Sequence, residues 1–384
     1  MNTFATLPIV ADVQTLQDIF TAADTWSAYG AQWNSGERKT LHCCDVRDET
    51  HDVKTFSFRC PDFAALSFEP GQFITVSPVI AGQSVSRCYT LSSSPTRPFS
   101  FSITVKRVPD GAVSNWLHDN LHAGDTLTAS GPAGGFTPVG HPAIKLLYLS
   151  AGSGVTPLMS MTRAGFDLSA RLDIVFVHSA RSPLDIIFHH ELTRMQHNMP
   201  GLRVLNICEG KGADSDWVGP VGRLNIELLS TLVPDFKERE VFTCGPQGYM
   251  DAVKSVLTQG SFDFQHYHQE SFNIEVLNEA PLIEASPLDT AAFQAEEGLF
   301  TITLSKSGKT FTMPASQTVL SAAKKAGAIV PSSCSQGVCG TCKTAVLQGT
   351  VEMNHNGGIR QREIDKGMRL LCCSKPTSDL VIDL

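Results

Sequence analysis

Four cysteines near the C-terminus constrain this chain more than any other feature. Three of them lie in the segment 334–342, which reads CSQGVCGTC, and Cys372 follows after 29 further residues. The spacing C-x4-C-x2-C with a distant fourth cysteine is typical of plant-type [2Fe–2S] sites, in which thiolates ligate the irons. The pattern therefore predicts an iron–sulfur cluster held by Cys334, Cys339, Cys342 and Cys372.

Two alternatives to this ligand set are open. Structural zinc sites more often contain two C-x2-C pairs or mixed cysteine and histidine ligands, and only Cys339 and Cys342 form such a pair here. A non-enzymatic module with structural zinc is thus the rival to an electron carrier. Cys373 is a rival to Cys372 as the fourth ligand, because it lengthens the gap by one residue only.

Length and composition favour a soluble protein with several domains. The chain has 384 residues, of which 42% are hydrophobic and 18% charged, and it contains no apolar run long enough to span a bilayer. The first residues lack a basic region followed by an apolar stretch, so the eleven cysteines indicate a reducing, cytoplasmic environment. A net charge of −8 argues against nucleic acid as the main partner.

Charge is unevenly distributed along the chain. Residues 298–384 contain ten Lys/Arg and five Asp/Glu, whereas residues 273–297 contain six acids and no base. An acidic segment with alanine and proline is typical of a solvated linker. We therefore expect a basic C-terminal domain that moves on this linker and docks on an acidic surface of a partner.

Hydrophobic patterns predict two further domains before the linker. Short alternating strands such as Thr55–Arg59 and Phe101–Val105, separated by Gly/Pro turns, indicate an antiparallel barrel. Farther on, buried strands such as Ile144–Ser150 alternate with helical segments, which indicates a doubly wound parallel sheet. We expect an N-terminal extension with some helical periodicity at Val13–Trp33 and five segments in all, with bounds 1–37, 38–141, 142–272, 273–297 and 298–384.

Two motif pairs lie in these domains. The first, Arg87-x-Tyr89-Thr90 with the downstream segment 111–117 (GAVSNWL), offers an aromatic ring, a hydroxyl, a guanidinium and a helix start, which suit a flavin and its phosphates. The second, Gly152-x-Gly154-x-x-Pro157 with the segment 244–246 (CGP), places a glycine turn and a second strand end at one sheet edge. Each motif alone is weak, because barrel strands and strand-to-helix turns without ligands have the same patterns.

Together with the cysteine motif, these residues resemble the ferredoxin-reductase-like flavoproteins that carry a fused plant-type ferredoxin domain. The resemblance implies an FAD-binding antiparallel barrel, a doubly wound NAD-binding domain and a β-grasp [2Fe–2S] domain. It implies an oxidoreductase that passes electrons from NADH through FAD to the cluster. FAD is favoured by the segment 131–136 (GPAGGF), although reductases with this domain order that use FMN are also known.

The resemblance assigns roles residue by residue. Tyr89 and Thr90 contact the flavin ring, Arg87 its phosphate and Val105 its ribityl or ribose part. The full cofactor-binding set is Arg87, Tyr89, Thr90, Val105, Gly111, Val113, Ser114, Gly152, Gly154, Pro157, Gly245 and Pro246. Thr156 faces NADH, Cys244 lies near the nicotinamide and Phe272 shields the flavin, so these three take the catalytic positions.

Within that family the chain looks closer still to the reductases of glycine betaine monooxygenase systems. The resemblance implies a Rieske-type non-haem iron oxygenase as the partner, with demethylation of a quaternary ammonium compound. Reductases of the hybrid-cluster protein and of stachydrine or carnitine monooxygenases are the alternatives.

NADH is favoured over NADPH, because Glu209 follows the strand at Leu205–Cys208 and would repel a 2′-phosphate, although Arg181 is a cation near that region. His266 and His268, two residues apart on a strand, lack an evident third metal ligand in the sequence.

Overall fold

The computed structural model describes residues 32–33, 37–141, 143–214, 216–271, 299–328, 330, 342–355, 359 and 361–384. A six-stranded antiparallel sheet forms the first domain, in the order β8-β5-β10-β2-β3-β9. Its strands and the small strands beside them are β1 Gln32–Trp33, β2 Arg38–Thr50, β3 Val53–Arg59, β4 Ala65–Leu66, β5 Phe73–Val76, β6 Val79–Ile80, β7 Gln83–Ser84, β8 Arg87–Thr90, β9 Phe101–Lys106 and β10 Thr126–Ala133.

The six-stranded sheet closes into a barrel. Leu91, directly after β8, forms an antiparallel bridge with Ile103 of β9, and the Ser92 amide donates to the Ser102 carbonyl at 2.8 Å. Phe56 and Phe58, two residues apart on β3, both point into the core as a period of two requires. Helix α1 (Ala112–Asn120) follows β9, and its Leu117 is fully buried against the same core.

A five-stranded parallel sheet forms the second domain, in the order β13-β12-β11-β14-β15. Its strands are β11 Lys145–Ala151, β12 Asp173–Ala180, β13 Leu202–Cys208, β14 Glu240–Gly245 and β15 Tyr267–Ser271, and its helices are α2 Val155–Asp167, α3 His189–Asn198, α4 Ile226–Leu232 and α5 Gln247–Gln259. Leu146 to Ser150 are fully buried, because helices cover both faces of such a sheet. The strand order reverses between β11 and β14, and ligands of doubly wound folds bind at such a switch point.

A third sheet contains the C-terminal strands, in the order β17-β16-β22-β18-β20. Its elements and those beside it are β16 Leu299–Leu304, β17 Thr310–Pro314, α6 Val319–Lys325, β18 Lys343–Gln348, β19 Val351–Met353, α7 Gln361–Asp365, β20 Met368–Leu370, β21 Ser374–Pro376 and β22 Leu380–Ile382. Strand β16 pairs in parallel with β22 and antiparallel with β17, as in a β-grasp sheet. Val319 and Ala323 of α6 are buried in its core.

The expected fold class, an antiparallel barrel, a doubly wound sheet and a β-grasp domain, is confirmed. The helical expectation for Val13–Trp33 is wrong at its described end, since Gln32 and Trp33 form a strand that pairs in parallel with β4. The indole of Trp33 lies in the barrel core and donates to the Glu37 carbonyl at 3.0 Å, which fixes this segment as an edge strand. The acidic linker 273–297 lies outside the described residues. Among the helices that the structure describes, none is both long and apolar enough to cross a membrane.

Candidate functional site

The carboxyl ends of β11 and β14 bring the two predicted nicotinamide motifs together. Ser150 is the register partner of Cys244, so the glycine turn after β11 lies beside the segment 244–246. A Cβ added at Gly154 would lie 2.2 Å from the Cys244 carbonyl oxygen, so only glycine fits there without a backbone shift. Gly152 has a φ of +53°, which also favours glycine. The sheet and the two glycines thus form a closely packed backbone surface, hereafter the carboxyl edge.

The side chains at the carboxyl edge are buried and mostly uncharged. Thr156 is buried at the start of α2, and its hydroxyl donates to the Ser153 carbonyl at 3.0 Å. The Cys244 thiol is fully buried, and desolvation, together with the charge of Glu270, raises its pKa well above the ordinary value. Cys244 is therefore a neutral thiol at neutral pH, suited to packing against an uncharged ring rather than to nucleophilic attack.

Gly245, Pro246 and Pro157 shape the same edge through their backbone. Pro246 is the N-cap of α5, and Pro157 lies in the first turn of α2, where its missing N–H costs no hydrogen bond. A Cβ at Gly245 would meet the Tyr249 ring at 2.8 Å. Backbone amides at the two helix starts are groups that suit an anionic pyrophosphate.

The predicted flavin strand is β8, on the edge of the barrel next to β5. The Thr90 hydroxyl is buried and makes no hydrogen bond within the described part of the chain. A buried orphan hydroxyl is costly, so this atom fits a partner such as a flavin ring nitrogen. Burial also raises the pKa of the Tyr89 phenol, and the Arg87 guanidinium donates to the Ser86 carbonyl at 2.8 Å. The three side chains of the motif thus present a ring, a hydroxyl and a cation along one short strand.

The second flavin segment lies at the start of α1. Gly111 is the N-cap residue, and the Ser114 hydroxyl donates to the Gly111 carbonyl at 3.2 Å and accepts from the Val108 amide at 3.3 Å. Val113 is buried in the barrel core. Because the Ser114 hydroxyl is used locally, the backbone amides of this turn are the groups left to bind a pyrophosphate. Val105 is buried in β9, and its carbonyl lies 2.9 Å from the His118 ring Nε2.

Two charged side chains connect the three predicted sites. The charge of Glu270 on β15 acts on both Cys244, at the carboxyl edge, and Cys88, on the flavin strand. The charge of Lys324 on α6 acts on Cys88 and on Cys342 and Cys372. Although the Lys324 side chain still reaches solvent, the surrounding protein lowers its pKa. Glu270 is therefore close to both the carboxyl edge and the flavin strand, and Lys324 is close to both the flavin strand and the two described cysteines of the cluster motif.

The described cluster cysteines favour Cys372 over Cys373. The Cys372 amide donates to the Cys342 sulfur at 3.4 Å, and both side chains are buried in the C-terminal core. The Cys373 thiol is only partly buried and contacts the Leu370 carbonyl at 3.6 Å. Cys334, Cys339 and Phe272 lie outside the described residues, so their assignment stays a prediction.

The motifs did not identify the residues that dock α2 on the flavin barrel. The Ser160 hydroxyl donates to the Ser93 carbonyl at 2.7 Å, and the Arg163 guanidinium donates to the Ser92 carbonyl. Arg163 also pairs with Glu191 at 2.7 Å. These polar residues lie on the otherwise buried face of α2. A serine and an arginine within the apolar stripe of a helix are the sequence signal that could have predicted this contact.

The predicted discriminator against NADPH lies at the end of β13. The Glu209 carboxylate accepts from the Arg223 guanidinium at 2.9 Å, and both side chains are largely exposed. Arg181 lies near two carboxylates, with 3.4 Å to Asp52 and 3.8 Å to Asp185. The carboxylate expected to repel a 2′-phosphate is thus at the surface, and the nearby cations have acidic partners.

Three family models match the chain in the order of these domains. They are an oxidoreductase FAD-binding domain over residues 42–137, an oxidoreductase NAD-binding domain over residues 148–255, and a 2Fe-2S iron-sulfur cluster binding domain over residues 302–377. FAD, NADH and a [2Fe–2S] cluster are accordingly the cofactors, and the expectation of FAD over FMN agrees with the first match.

The most informative relatives are reductase subunits of monooxygenase systems. The glycine betaine monooxygenase reductase subunit of Chromohalobacter salexigens is 46% identical over 361 residues, which cover 91% of this chain and 96% of that one. The chain belongs to this family of flavin and iron–sulfur reductase subunits. A second member, the stachydrine N-demethylase reductase subunit Stc4 of Rhizobium meliloti, is 39% identical over 90% of this chain and 95% of its own.

A solved structure shows the same three-part architecture. Phthalate dioxygenase reductase, described as a modular structure for electron transfer from pyridine nucleotides to [2Fe–2S], matches with a TM-score of 0.54 and 27% identity. The match covers 90% of this chain and 98% of that chain. The family assignment therefore extends over the three folded domains and excludes the zinc-module alternative.

Proposed function

We propose that this reductase delivers electrons from NADH to a Rieske-type non-haem iron oxygenase that demethylates glycine betaine or a related quaternary ammonium compound. The observation that carries the proposal is that Glu270 is close to both the carboxyl edge and the flavin strand, while Lys324 is close to both the flavin strand and the described cysteines of the cluster motif. Similarity to glycine betaine monooxygenase reductase subunits over nearly the whole chain supports the substrate class.

The protein's part in this reaction is placement rather than acid–base catalysis. A bound FAD would supply the link between NADH, which donates two electrons at once, and the [2Fe–2S] cluster, which accepts one at a time. Thr90 donates or accepts at the flavin ring, Tyr89 packs against it, and Arg87 and the amides from Gly111 to Ser114 hold its phosphates. The glycine turn 152–154 and the helix starts at Pro157 and Pro246 hold the NADH pyrophosphate, while Thr156 and Cys244 pack beside the nicotinamide.

The same proposal covers the assignments that stay predictions. Cys334, Cys339, Cys342 and Cys372 ligate the cluster, and Phe272 covers the flavin. The chain divides at residues 37, 141, 272 and 297, with 273–297 as an acidic linker that lets the basic domain 298–384 reach an oxygenase. The protein works in the cytoplasm, where thiols stay reduced.

Reconstitution with a Rieske-type oxygenase and glycine betaine tests the function. We expect NADH consumption coupled to a demethylated product, with NADH as the sole electron donor and the purified holoprotein as the sole reductase. Stachydrine and carnitine in the same assay, each with its own oxygenase, decide among the quaternary ammonium substrates. NADH oxidation that is never coupled to demethylation by any of these oxygenases would contradict the proposal, and coupling to a hybrid-cluster protein would replace it.

A matched pair of cysteine variants tests which thiol is the fourth ligand of the [2Fe–2S] cluster. In Cys372→Ser the [2Fe–2S] absorbance and the coupled reaction should be lost, while flavin-dependent reduction of an artificial dye persists. Cys373→Ser, which alters the neighbouring thiol, should keep both. The opposite pattern would assign the fourth ligand to Cys373.

A further inference from the structure

A group of ionisable side chains lies at the opposite edge of the parallel sheet, where its strands begin. Glu240 opens β14, His268 lies near the start of β15, and His141 belongs to the segment that connects the flavin barrel to β11. The Glu240 side chain is 10% exposed and His268 12% exposed. His266, 56% exposed, completes this group. We call these four residues the histidine–glutamate cluster and this end of the sheet the amino edge.

The donor atoms of the cluster converge on one point. His268 Nε2 contacts one Glu240 oxygen, and His266 Nδ1 lies 2.9 Å from the other. His141 Nδ1 lies 3.8 Å from Glu240 Oε1, and the His141 and His268 ring centroids are 4.1 Å apart. One ligand atom each from His141, Glu240 and His268 lie within 4.8 Å of one another. In a tetrahedral site with bonds of about 2.0–2.1 Å, ligand atoms are roughly 3.3 Å apart, so small side-chain rotations suffice.

The surroundings hold these rings in place. Phe242, fully buried, stacks on the His268 ring at 4.7 Å between centroids and meets the His141 ring edge-on at 5.8 Å. A groove of about 490 Å³ reaches Glu240 and His266 from solvent. A buried carboxylate, ordered imidazoles on an aromatic base and an open path are the features of a site that binds a transition-metal ion.

A second histidine–carboxylate group in the protein lacks these features. His51, Asp52 and Asp185 also place donor atoms within 4.8 Å. However, Lys106 lies 3.1 Å from Asp52, and the Arg181 guanidinium approaches both carboxylates. Those cations already neutralise the carboxylates and would repel a metal ion. No Lys or Arg ion pair with Glu240 is found among the described residues, where only histidines contact its carboxylate.

We propose that His141, Glu240 and His268 bind Zn²⁺ or a chemically similar divalent ion, with His266 or water as the fourth ligand. Imidazole and carboxylate donors suit Zn²⁺ better than Mg²⁺ or Ca²⁺, which prefer oxygen ligands throughout. The site is structural: it fastens the connecting segment at His141 to β14 and β15, far along these strands from the nicotinamide residues.

Zinc content of the full-length holoprotein tests the proposal. The protein is stripped with a chelator, incubated with a stoichiometric amount of Zn²⁺, passed through gel filtration and assayed for zinc, iron and flavin together. We expect one zinc per chain in the wild type and at least a tenfold lower zinc content in His141→Gln and in His268→Gln. His51→Gln is the matched control, because it removes a histidine from the other carboxylate group, and it should keep the zinc.

X-ray absorption at the zinc edge of the wild-type protein makes the test independent of variants that fail to fold. Nitrogen and oxygen ligation with an imidazole signature supports the proposal. Sulfur ligation would mean that zinc has replaced iron at the cysteines and would overturn it. Equal zinc loss in His51→Gln, or no zinc retained by the wild type, would overturn it as well. None of these outcomes depends on the oxygenase or its substrate, so the proposed function is tested separately.

Discussion

Strand β14 has Glu240 at its first position and Gly245 at its last, so one strand contributes to both edges of the parallel sheet. At the carboxyl edge the neighbours are glycines, a neutral thiol and His178, which is fully buried. At the amino edge the neighbours are three histidines that contact the buried carboxylate of Glu240. Both edges thus contain histidine and buried polar groups, and at the amino edge the histidines contact a buried carboxylate directly.

The difference follows from what each edge binds. An edge that receives a flexible dinucleotide needs close backbone approach and amides at helix starts, which glycine supplies and a Cβ would block. An edge that fastens one chain segment to another benefits from directional, charge-assisted contacts. Perturbing each edge should therefore have separable results: changes at the carboxyl edge act on NADH chemistry, and changes at the amino edge act on stability.

The largest effect is expected from Gly154→Ala at the carboxyl edge. The added Cβ would lie 2.2 Å from the Cys244 carbonyl oxygen, so the glycine turn or β14 must shift. A displacement of that kind at a positioning element costs about a hundredfold in rate. Steady-state reduction of an artificial dye by NADH measures it, with flavin content as the check on folding.

Ser255→Ala is the control for that variant, because Ser255 is exposed on helix α5, about two turns beyond the helix start, and alanine favours a helix. It should keep wild-type turnover. A Gly154→Ala protein with unchanged NADH kinetics would show that the carboxyl edge does not hold the dinucleotide.

The next effect concerns His178, the buried histidine of the carboxyl edge. Burial, with smaller effects from the positive charges of His189 and Lys106, lowers its pKa from 6.5 to about 4. The His178 imidazole therefore binds a proton below pH 6.5 in the unfolded chain, but only below about pH 4 in the folded protein. Stability should fall as pH drops through this window, by about 3 kcal/mol in all. Urea denaturation at several pH values measures the slope.

His178→Asn should remove that slope, whatever it does to stability at neutral pH, where the Ser150 hydroxyl lies 2.8 Å from the His178 ring. His197→Asn, on the exposed face of α3, should keep it. An unchanged pH dependence in His178→Asn would mean that the carboxyl edge admits a charged imidazole.

These two edges also show how far sequence reasoning reaches. The sequence predicts the location of Gly152, Gly154 and Cys244 at one edge of the sheet. All three come at or directly after the end of a strand, and the carboxyl ends of parallel strands lie at the same edge. His266 and His268 were visible as a pair, but their partners were not. His141 and Glu240 are about 100 residues apart in the chain, and only the pairing of β14 with β15 and the path of the connecting segment bring them together. Likewise, Lys324 has no local motif, since its role depends on how α6 approaches the flavin strand.

A smaller effect is expected at Glu209, beyond the end of β13. Glu209→Gln removes a negative charge and releases Arg223, which lies 2.9 Å away, so a 2′-phosphate should be better accepted. A single exposed charge contributes about 1 kcal/mol, which corresponds to about a fivefold rise in kcat/KM for NADPH relative to NADH. Glu238→Gln is the matched control, because it breaks a similar exposed ion pair with Lys145 at the amino edge. A ratio that changes equally in both variants would point to net charge rather than to the 2′ position.

The remaining prediction concerns stability at the amino edge, where Glu240→Gln is measured in the presence of chelator so that metal binding does not contribute. Although burial opposes it, hydrogen bonds from His268 and His266 and the proximity of their charges lower the pKa of Glu240 below its ordinary 4.5. The stabilisation is therefore fully present above about pH 4.5 and is lost as pH falls through the lower folded pKa. In Glu240→Gln the free energy of unfolding should fall by about 1–2 kcal/mol at pH 6, where a charge-assisted hydrogen bond is lost, and its acid dependence should flatten.

NADH-dependent dye reduction by Glu240→Gln should stay at the wild-type rate. A loss of NADH turnover in this variant would contradict the comparison. It would mean that a change at the amino edge of the sheet alters NADH binding at the carboxyl edge.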